Sequence, residues 1–497
     1  MKKTLALLLL LSLCFSATAQ QQPNIVFLLT DDQRADAMSC AGHPVIQTPN
    51  LDRLADRGIR FSHAFAAEPV CKDNRVSLLS GQYARVHGVG FSLKHALSHE
   101  QWAQTYPALL RDAGYWTGFV GKFGVESYAF RGNAKTKFDY WRAHDGWAKF
   151  WIKQETKLYP DAKAQIITPI MSECIDDFLA SRDKAKPFCL SVSFSAPHGS
   201  ISSTMHGPKA MTEPANKHPQ LANHPVYGGL YRDAAIQLPD TWTQDTGRYL
   251  PLEVHDPSKG RTRTYPYNFT RESCIEHHHR YYQLVHGIDR AVGRLMSALQ
   301  EQGVADNTVI LFTSDHGLLM GDYGIGGKAL CYDLATRVPL IVYDPRLPEK
   351  ARGRVLDQLA LSIDIAPTIL ELAGIEPRGT MQGRSLMPLV QNKDESWRDE
   401  VFLENLYIGR DGLLIEAVRT DRWKYVRYFE PDARRLRPPL AGLPEFNRLT
   451  PDYEQLFDLK QDPGETKNLA SLEAHRPRLE QLRERCRALS EQASSGE

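Results

Sequence analysis

The chain has 497 residues, 42% of them apolar and 24% charged, with 60 basic side chains against 59 acidic ones. This composition excludes collagen-like, coiled-coil and wholly disordered classes, and the length is ample for a large core. Without a basic excess or run, nucleic acid and membrane surfaces are excluded as partners.

Lys2 and Lys3 precede an apolar run from Leu5 to Phe15, and Ala17-Thr18-Ala19 offers a small-x-small cleavage site. Residues 1–19 therefore read as a secretory signal peptide, and the mature chain is expected in the periplasm or outside the cell. The run is too short to span a bilayer comfortably, and no later segment is long enough. Cleavage takes Cys14 from the eight cysteines and leaves an odd number, in a compartment that permits disulfides.

The continuous apolar run Asn24 to Thr30 predicts a strand buried on both faces of a parallel sheet, ending in Asp31-Asp32. Similar strands are expected at Tyr115–Val120, Phe188–Phe194, Thr308–Thr313 and Val338–Tyr343. Helical periodicity lies between them, at Leu51, Leu54 and Ala55 and again from Val285 to Leu299, and Asp364 opens another helix. This alternation predicts one large α/β domain over residues 20–375, a mostly parallel sheet with ligands at the carboxyl ends of its strands. Between Gly199 and Thr270 the pattern breaks, with eight prolines, as for a loop-rich insertion packed near the active site. Residues 376–497 read as a smaller subdomain, with strands at Glu416–Thr420 and Trp423–Tyr428 and a charged helix from about Ala474 to Ala493.

Polar clusters follow the strand ends. Asp31-Asp32 comes after the first strand and Asp315-His316-Gly317 after Thr308–Thr313. One acidic pair alone would be read as a helix cap; two at two strand ends favour a cation that relieves their repulsion. Asp31, Asp32 and Asp315 are oxygen donors suited to Ca²⁺ or Mg²⁺, with His316 as a softer fourth ligand. His198 follows a third strand and Lys122 a fourth, and convergence on one sheet edge makes both candidates for catalysis. The triplet His277-His278-His279 begins a helix, where consecutive residues point apart, and is expected at a surface or rim. Cys40, Cys174, Cys189, Cys274, Cys331 and Cys486 lack ligand spacing and are expected buried or paired. Asn268-Phe269-Thr270 has the glycosylation pattern.

The segment Cys71-Lys72-Asp73-Asn74-Arg75, continuing through Leu79-Ser80-Gly81, resembles the signature of type I sulfatases. In that family the cysteine is followed by x-Pro-Ser-Arg and then x-x-x-Leu-Thr-Gly, and it is oxidised to formylglycine. The resemblance extends to Thr48-Pro49-Asn50-Leu51-Asp52, Ser314-Asp315-His316-Gly317, Arg337-Val338-Pro339, Asp364-Ile365-Ala366-Pro367-Thr368, Gly383-Arg384-Ser385-Leu386 and Leu456-Phe457-Asp458-Leu459. In this order and spacing, chance agreement is excluded in practice. The pattern departs from the family at Asp73, where Pro or Ala is usual, and at Asn74, where Ser is usual. It also departs at Gly124, where Gly-Lys-x-His is usual; His87 or the insertion is the candidate source of a replacement histidine.

The resemblance implies an alkaline-phosphatase-like fold, a mixed sheet sandwiched by helices with a smaller C-terminal α+β subdomain. It implies a sulfuric ester hydrolase in which Cys71, matured by a formylglycine-generating enzyme, attacks sulfur. Asp31, Asp32, Asp315 and His316 would hold a divalent metal, Ca²⁺ before Mg²⁺. Arg75 would steady the nucleophile, Lys122 and Lys328 would bind the sulfate, and His198 would protonate the leaving alcohol. Export favours a sulfated carbohydrate as substrate, and the insertion and the segment from Trp141 to Trp151, with Trp147 between them, are candidate platforms for sugar rings or equally parts of the core. The alternatives are a phosphodiester or phosphonate hydrolase of the same superfamily and a silent relative that binds sulfated glycans.

Overall fold

The structure is a computed structural model that describes residues 22–91, 97–125, 134–144, 159–164, 166–198, 227–255, 270–377, 381–393, 396–407, 413–430 and 450–495. The expected signal peptide, Trp147, Trp151, Asn268-Phe269 and much of the expected insertion lie outside the described residues.

A nine-stranded sheet forms the centre. Its order is Arg354–Leu356, Ile59–Phe65, Arg337–Tyr343, Thr308–Ser314, Asn24–Asp31, Phe188–Pro197, Trp116–Lys122, Tyr140–His144, with Ala360–Leu361 also pairing to Ile59–Phe65. All five expected strands are present, and only Arg337–Tyr343 runs against its neighbours. The strand Ile59–Phe65 escapes the apolar-run criterion because Arg60, Ser62 and His63 interrupt it. Pro339, which lacks an N–H, sits opposite a bulge where Ser62 and His63 are unpaired, between the Phe61–Leu340 and Ala64–Val338 partners. Arg337 Nε donates to the Ser62 carbonyl at 2.8 Å, which satisfies the bulged backbone.

Side-chain alternation on the first strand separates two layers. Ile25, Phe27 and Leu29 pack with residues of the helices Cys71–Ser80, Tyr106–Asp112 and Ile365–Leu372. Val26 and Leu28 face Pro49–Arg57, Ile167–Ser181 and the 31-residue helix Arg271–Glu301. A strand covered on both faces needs an unbroken apolar run, and Asn24 to Thr30 supplies one.

A second, four-stranded antiparallel sheet orders Glu400–Asn405, Leu414–Thr420, Trp423–Phe429 and Tyr453–Asp458, with the helix Arg476–Ser495 packed on it through Leu479, Leu482 and Cys486. Arg85, just after the helix Cys71–Ser80, ties the two sheets together. Its guanidinium pairs with Glu404 and Glu416, each at 2.6 Å, and donates to Ser490 Oγ at 2.8 Å, all of these groups being buried.

Two expectations need correction. His277, His278 and His279 are buried, not at a rim. The described part of the insertion covers their helix: Tyr231, Ile236, Leu238 and Trp242 pack against Cys274, Tyr281, Tyr282 and Val285. His278 Nδ1 lies 2.8 Å from the Cys274 carbonyl, and burial depresses the pKa of all three imidazoles. Among the described residues all seven cysteines are free thiols, and every one except Cys40 is buried. Of the three tryptophans, Trp141 is half-buried and packs against Phe119, Phe123 and Phe138, as its core reading expects.

Candidate active site

The carboxyl ends of four parallel strands deliver one polar cluster. Asp31 ends the strand Asn24–Asp31, and Asp315-His316 directly follow Thr308–Ser314, the strand paired beside it. Lys122 ends Trp116–Lys122, and His198 follows Phe188–Pro197. One ligand atom from each of Asp31, Asp32, Asp315 and His316 lies within 4.8 Å of the others, and all four residues are buried. Asp32 takes φ 72°, a left-handed backbone unusual for a residue with a β-carbon, and its N–H donates to Asp315 Oδ1 at 3.2 Å. Such strain persists only where the surroundings over-determine it, as in a built site.

Three cations compensate the three carboxylates. Arg75 reaches Asp31 Oδ2 at 3.0 Å and Asp315 Oδ2 at 2.9 Å. Its remaining nitrogen donates to Ser193 Oγ at 2.6 Å and to the Lys122 carbonyl at 2.9 Å, so the fork is fully used. Lys122 Nζ pairs with Asp31, while Lys328 Nζ sits 2.8 Å from Asp32 Oδ1 and 3.2 Å from His316 Nε2. His198 Nε2 stands 3.8 Å from Asp32 Oδ2, with its side chain 20% exposed.

Burial and charge pull these groups apart. Burial pushes the Asp31 carboxyl up, but Lys122, His198, Arg75 and Lys328 together hold it well below the usual range. Burial raises Asp32 to about 7, with Lys328 opposing and Asp31 and Asp315 adding to the rise. His316 falls to about 4 and His198 falls well below its ordinary value, in both cases chiefly through burial and with Lys328 adding repulsion. Burial also raises the Cys71 thiol, against the opposing pull of Lys122 and Lys328.

The donor set fits a hard divalent cation. Three carboxylates and an imidazole converge out of water, and Asp31 Oδ1 is buried without a hydrogen bond, with Lys328 Nζ 3.9 Å away. A buried carboxylate oxygen without a hydrogen bond inside such a cluster is compatible with a metal ligand.

Cys71 opens the helix Cys71–Ser80 and is 8% exposed. The helix is fixed to the cluster by Arg75 and by Asn74, whose amide donates to the Asp315 carbonyl while its oxygen accepts from Ser362 Oγ at 2.6 Å. Asp73 Oδ2 accepts the Phe91 N–H at 3.2 Å. Both departures from the family signature therefore hold neighbouring segments in place. At the third departure, Gly124 takes φ +67°, and a β-carbon there would lie 2.8 Å from Arg75 Cδ and 3.4 Å from Lys122 Cε.

His87 is not the replacement for a histidine at that position. It is buried, with Nε2 3.1 Å from Ser77 Oγ and Nδ1 accepting from the Val89 N–H, and burial depresses it to about 3. The insertion residues 199–226 lie outside the described residues. Sequence reading missed Ser193 and Asn74 as supports. The alternation Ser191, Ser193, Ser195 along one strand was the available signal for the first, since it places three hydroxyls on one face. Asn74 gives no such signal, because its partners are a distant backbone carbonyl and Ser362.

The sulfatase family model matches residues 23–375. The chain belongs to the sulfatase family. It thereby joins the alkaline-phosphatase-like superfamily as a sulfuric ester hydrolase. A second model, N-sulphoglucosamine sulphohydrolase C-terminal, matches residues 321–436. An N-acetylglucosamine-6-O-sulfatase of Bacteroides thetaiotaomicron is 28% identical, over 92% of this chain and 85% of its own length. An arylsulfatase of Clostridium perfringens is also 28% identical, with 93% of each chain covered. Among solved structures, a protein in complex with its substrate D-glucosamine-2-N,6-O-disulfate superposes with a TM-score of 0.72 at 22% identity, over 96% of this chain and 99% of that one. The phosphonate monoester hydrolase of Agrobacterium radiobacter gives 0.71 at 22% identity, over 95% and 96%. At these identities the structures establish the shared fold.

Proposed function

We propose that this chain is an exported sulfatase that removes sulfate from sulfated carbohydrates, with Cys71 matured to formylglycine and a divalent metal, Ca²⁺ before Mg²⁺, held by Asp31, Asp32, Asp315 and His316. The observation that carries this reading is the meeting of that buried cluster with Cys71, Arg75 and two lysines at one sheet edge. The carbohydrate class is supported by relatives such as the N-acetylglucosamine-6-O-sulfatase and an ulvan-active sulfatase of Formosa agariphila, 27% identical over 89% of this chain and 83% of its own length. Residues 1–19 as a signal peptide, 20–375 as the catalytic domain and 376–497 as the subdomain complete the proposed organisation.

Formylglycine at position 71 would supply a hydrated aldehyde as nucleophile, and a metal held by Asp31, Asp32, Asp315 and His316 would supply a Lewis acid for a sulfate oxygen. The chain's own groups do the rest. Arg75 fixes the Cys71 helix against Asp31 and Asp315, so the nucleophile is held in register with the ligands. Lys122 and Lys328 answer the charge that spreads over the sulfuryl oxygens as the ester bond breaks. His198 Nε2 delivers a proton to the leaving alcohol. Burial, and then Lys328, lower the proton affinity of this imidazole, and the negative charge of a bound sulfate would oppose that shift.

Two measurements test the reading. Peptide mass spectrometry on the mature protein should find an aldehyde in place of the Cys71 thiol. Purified protein should release sulfate from sulfated saccharides such as N-acetylglucosamine 6-sulfate faster than it cleaves phenyl phosphonates. An intact thiol with no released sulfate overturns it in favour of a silent glycan binder; faster phosphonate cleavage favours the phosphonate hydrolase.

A further inference from the structure

Phe91 is one of four large apolar side chains that the described residues leave in solvent, and it is 54% exposed. A single exposed ring is ordinary. This one is built into an arrangement. Its ring meets that of Tyr407 at a centroid distance of 5.8 Å and an interplanar angle of 63°, and Lys72 Nζ lies 5.9 Å from its centroid.

Both rings are tethered to the segments that carry the catalytic candidates. The Phe91 N–H donates to Asp73 Oδ2, two residues after Cys71, and a β-carbon at Gly90 would lie 2.1 Å from Asp73 Oδ1. Only glycine lets the chain press that closely onto the first turn of the Cys71 helix. On the other side, Asn405 Nδ2 donates to the Ala329 carbonyl at 3.2 Å and to the Tyr407 carbonyl at 3.4 Å, which links Tyr407 to the residue after Lys328. The Leu406 N–H donates at 2.7 Å to Glu68, three residues before Cys71.

We propose that Phe91 and Tyr407, with Lys72 beside them, form the subsite that receives the sugar ring carrying the scissile sulfate. This rests on the sulfatase reading above and names the part of the substrate outside the ester. A pyranose presents an apolar C–H face with a polar rim, and an aromatic face answers the first. Lys72 adds a cation at that edge, suited to a further anionic substituent, a uronate or a second sulfate. The subsite also gives Asp73 a role: it anchors the platform to the nucleophile's helix.

The test measures binding and turnover of heparin- and chondroitin-sulfate-derived tetrasaccharides beside the affinity for inorganic sulfate, with wild-type protein, Phe91→Ala, Phe91→Trp, Tyr407→Ala and the distant surface control Leu472→Ala. Phe91→Ala should weaken saccharide binding at least tenfold relative to inorganic sulfate, Tyr407→Ala at least threefold, and Phe91→Trp should stay within threefold of wild type. Equal effects on saccharide and inorganic sulfate overturn the subsite, and so does the absence of saccharide binding by wild-type protein. Retained sulfate release in that case leaves the sulfatase reading standing. Phe91-dependent binding without sulfate release upholds the subsite and overturns the hydrolase.

Discussion

A β-carbon at Gly124 would lie 2.8 Å from Cδ of Arg75, so any side chain there presses on the arginine that holds Asp31 and Asp315. The backbone at Gly124 is left-handed, at φ +67°. Installing the family residue should therefore harm the enzyme. Gly124→His pays for the positive φ at about 1 kcal/mol and for overpacking at about 1–3 kcal/mol. We expect a lower melting temperature and at least a tenfold loss of sulfate release. A gain in turnover would show that Arg75 yields without consequence.

Asn74 is a second departure from the family pattern, and its loss should be felt. Asn74→Ala leaves the Asp315 carbonyl and the Ser362 hydroxyl without their buried partner. Each unsatisfied group costs about 1–3 kcal/mol. Urea unfolding should record a loss in that range, and calorimetric titration should show weaker metal binding, because the backbone of a proposed ligand has been released.

Asp315→Ala should abolish metal binding and activity together, as should a chelator added to the wild-type protein. The variant also strands Arg75 in the interior with one carboxylate fewer. Breaking a buried pair costs roughly 3–5 kcal/mol, so Asp32→Asn, which keeps shape and both Arg75 contacts, is the companion variant. Metal content by plasma emission checks both. Full metal occupancy in each would refute the ligand assignment.

Acid should destabilise the fold through His87. Burial depresses this imidazole to about 3, whereas the unfolded chain titrates near 6.5. The unfolded state then binds the extra proton, so the stabilisation is complete above pH 6.5 and is lost as pH falls toward 3. The slope is roughly 1 kcal/mol per pH unit for one proton. His87→Gln should flatten the stability profile between pH 6 and 4, measured by urea midpoints at fixed ionic strength. An unchanged slope would mean that His87 takes up its proton in the folded state.

Arg85 holds two buried glutamates from the second sheet. Arg85→Ala leaves Glu404 without its cation, while Glu416 keeps Arg427, and should cost roughly 3–5 kcal/mol. Hydrogen exchange should rise first in the helix Arg476–Ser495, whose Ser490 hydroxyl loses its donor. Protection unchanged in that helix would sever the proposed link between the sheets.

The amount legible in the sequence differs between elements for physical reasons. Asn24–Asp31 announces itself because both faces are buried, and burial on both faces demands an unbroken apolar run. Ile59–Phe65 hides because its bulge needs polar residues that look like a loop. The metal candidates were visible because chemistry restricts their types and strand ends restrict their places. Asp364 was read as a helix opening; its carboxylate also holds the Arg384 N–H at 2.8 Å and the Arg398 guanidinium, long-range contacts with no local pattern. The histidine triplet misled for a similar reason, since nothing within a helix reveals that an insertion folds over it.

The Arg85 bridge also sets an order of events. Its acceptors include Ser490 and Ser494, within the last few residues of the described chain. The turn after the Cys71 helix cannot lock until residues 405 and 409 positions further along the chain have been made. During translation the thiol therefore sits in a segment whose final clamp is missing, and a modifying enzyme that reads an extended stretch would have the whole of that interval in which to act.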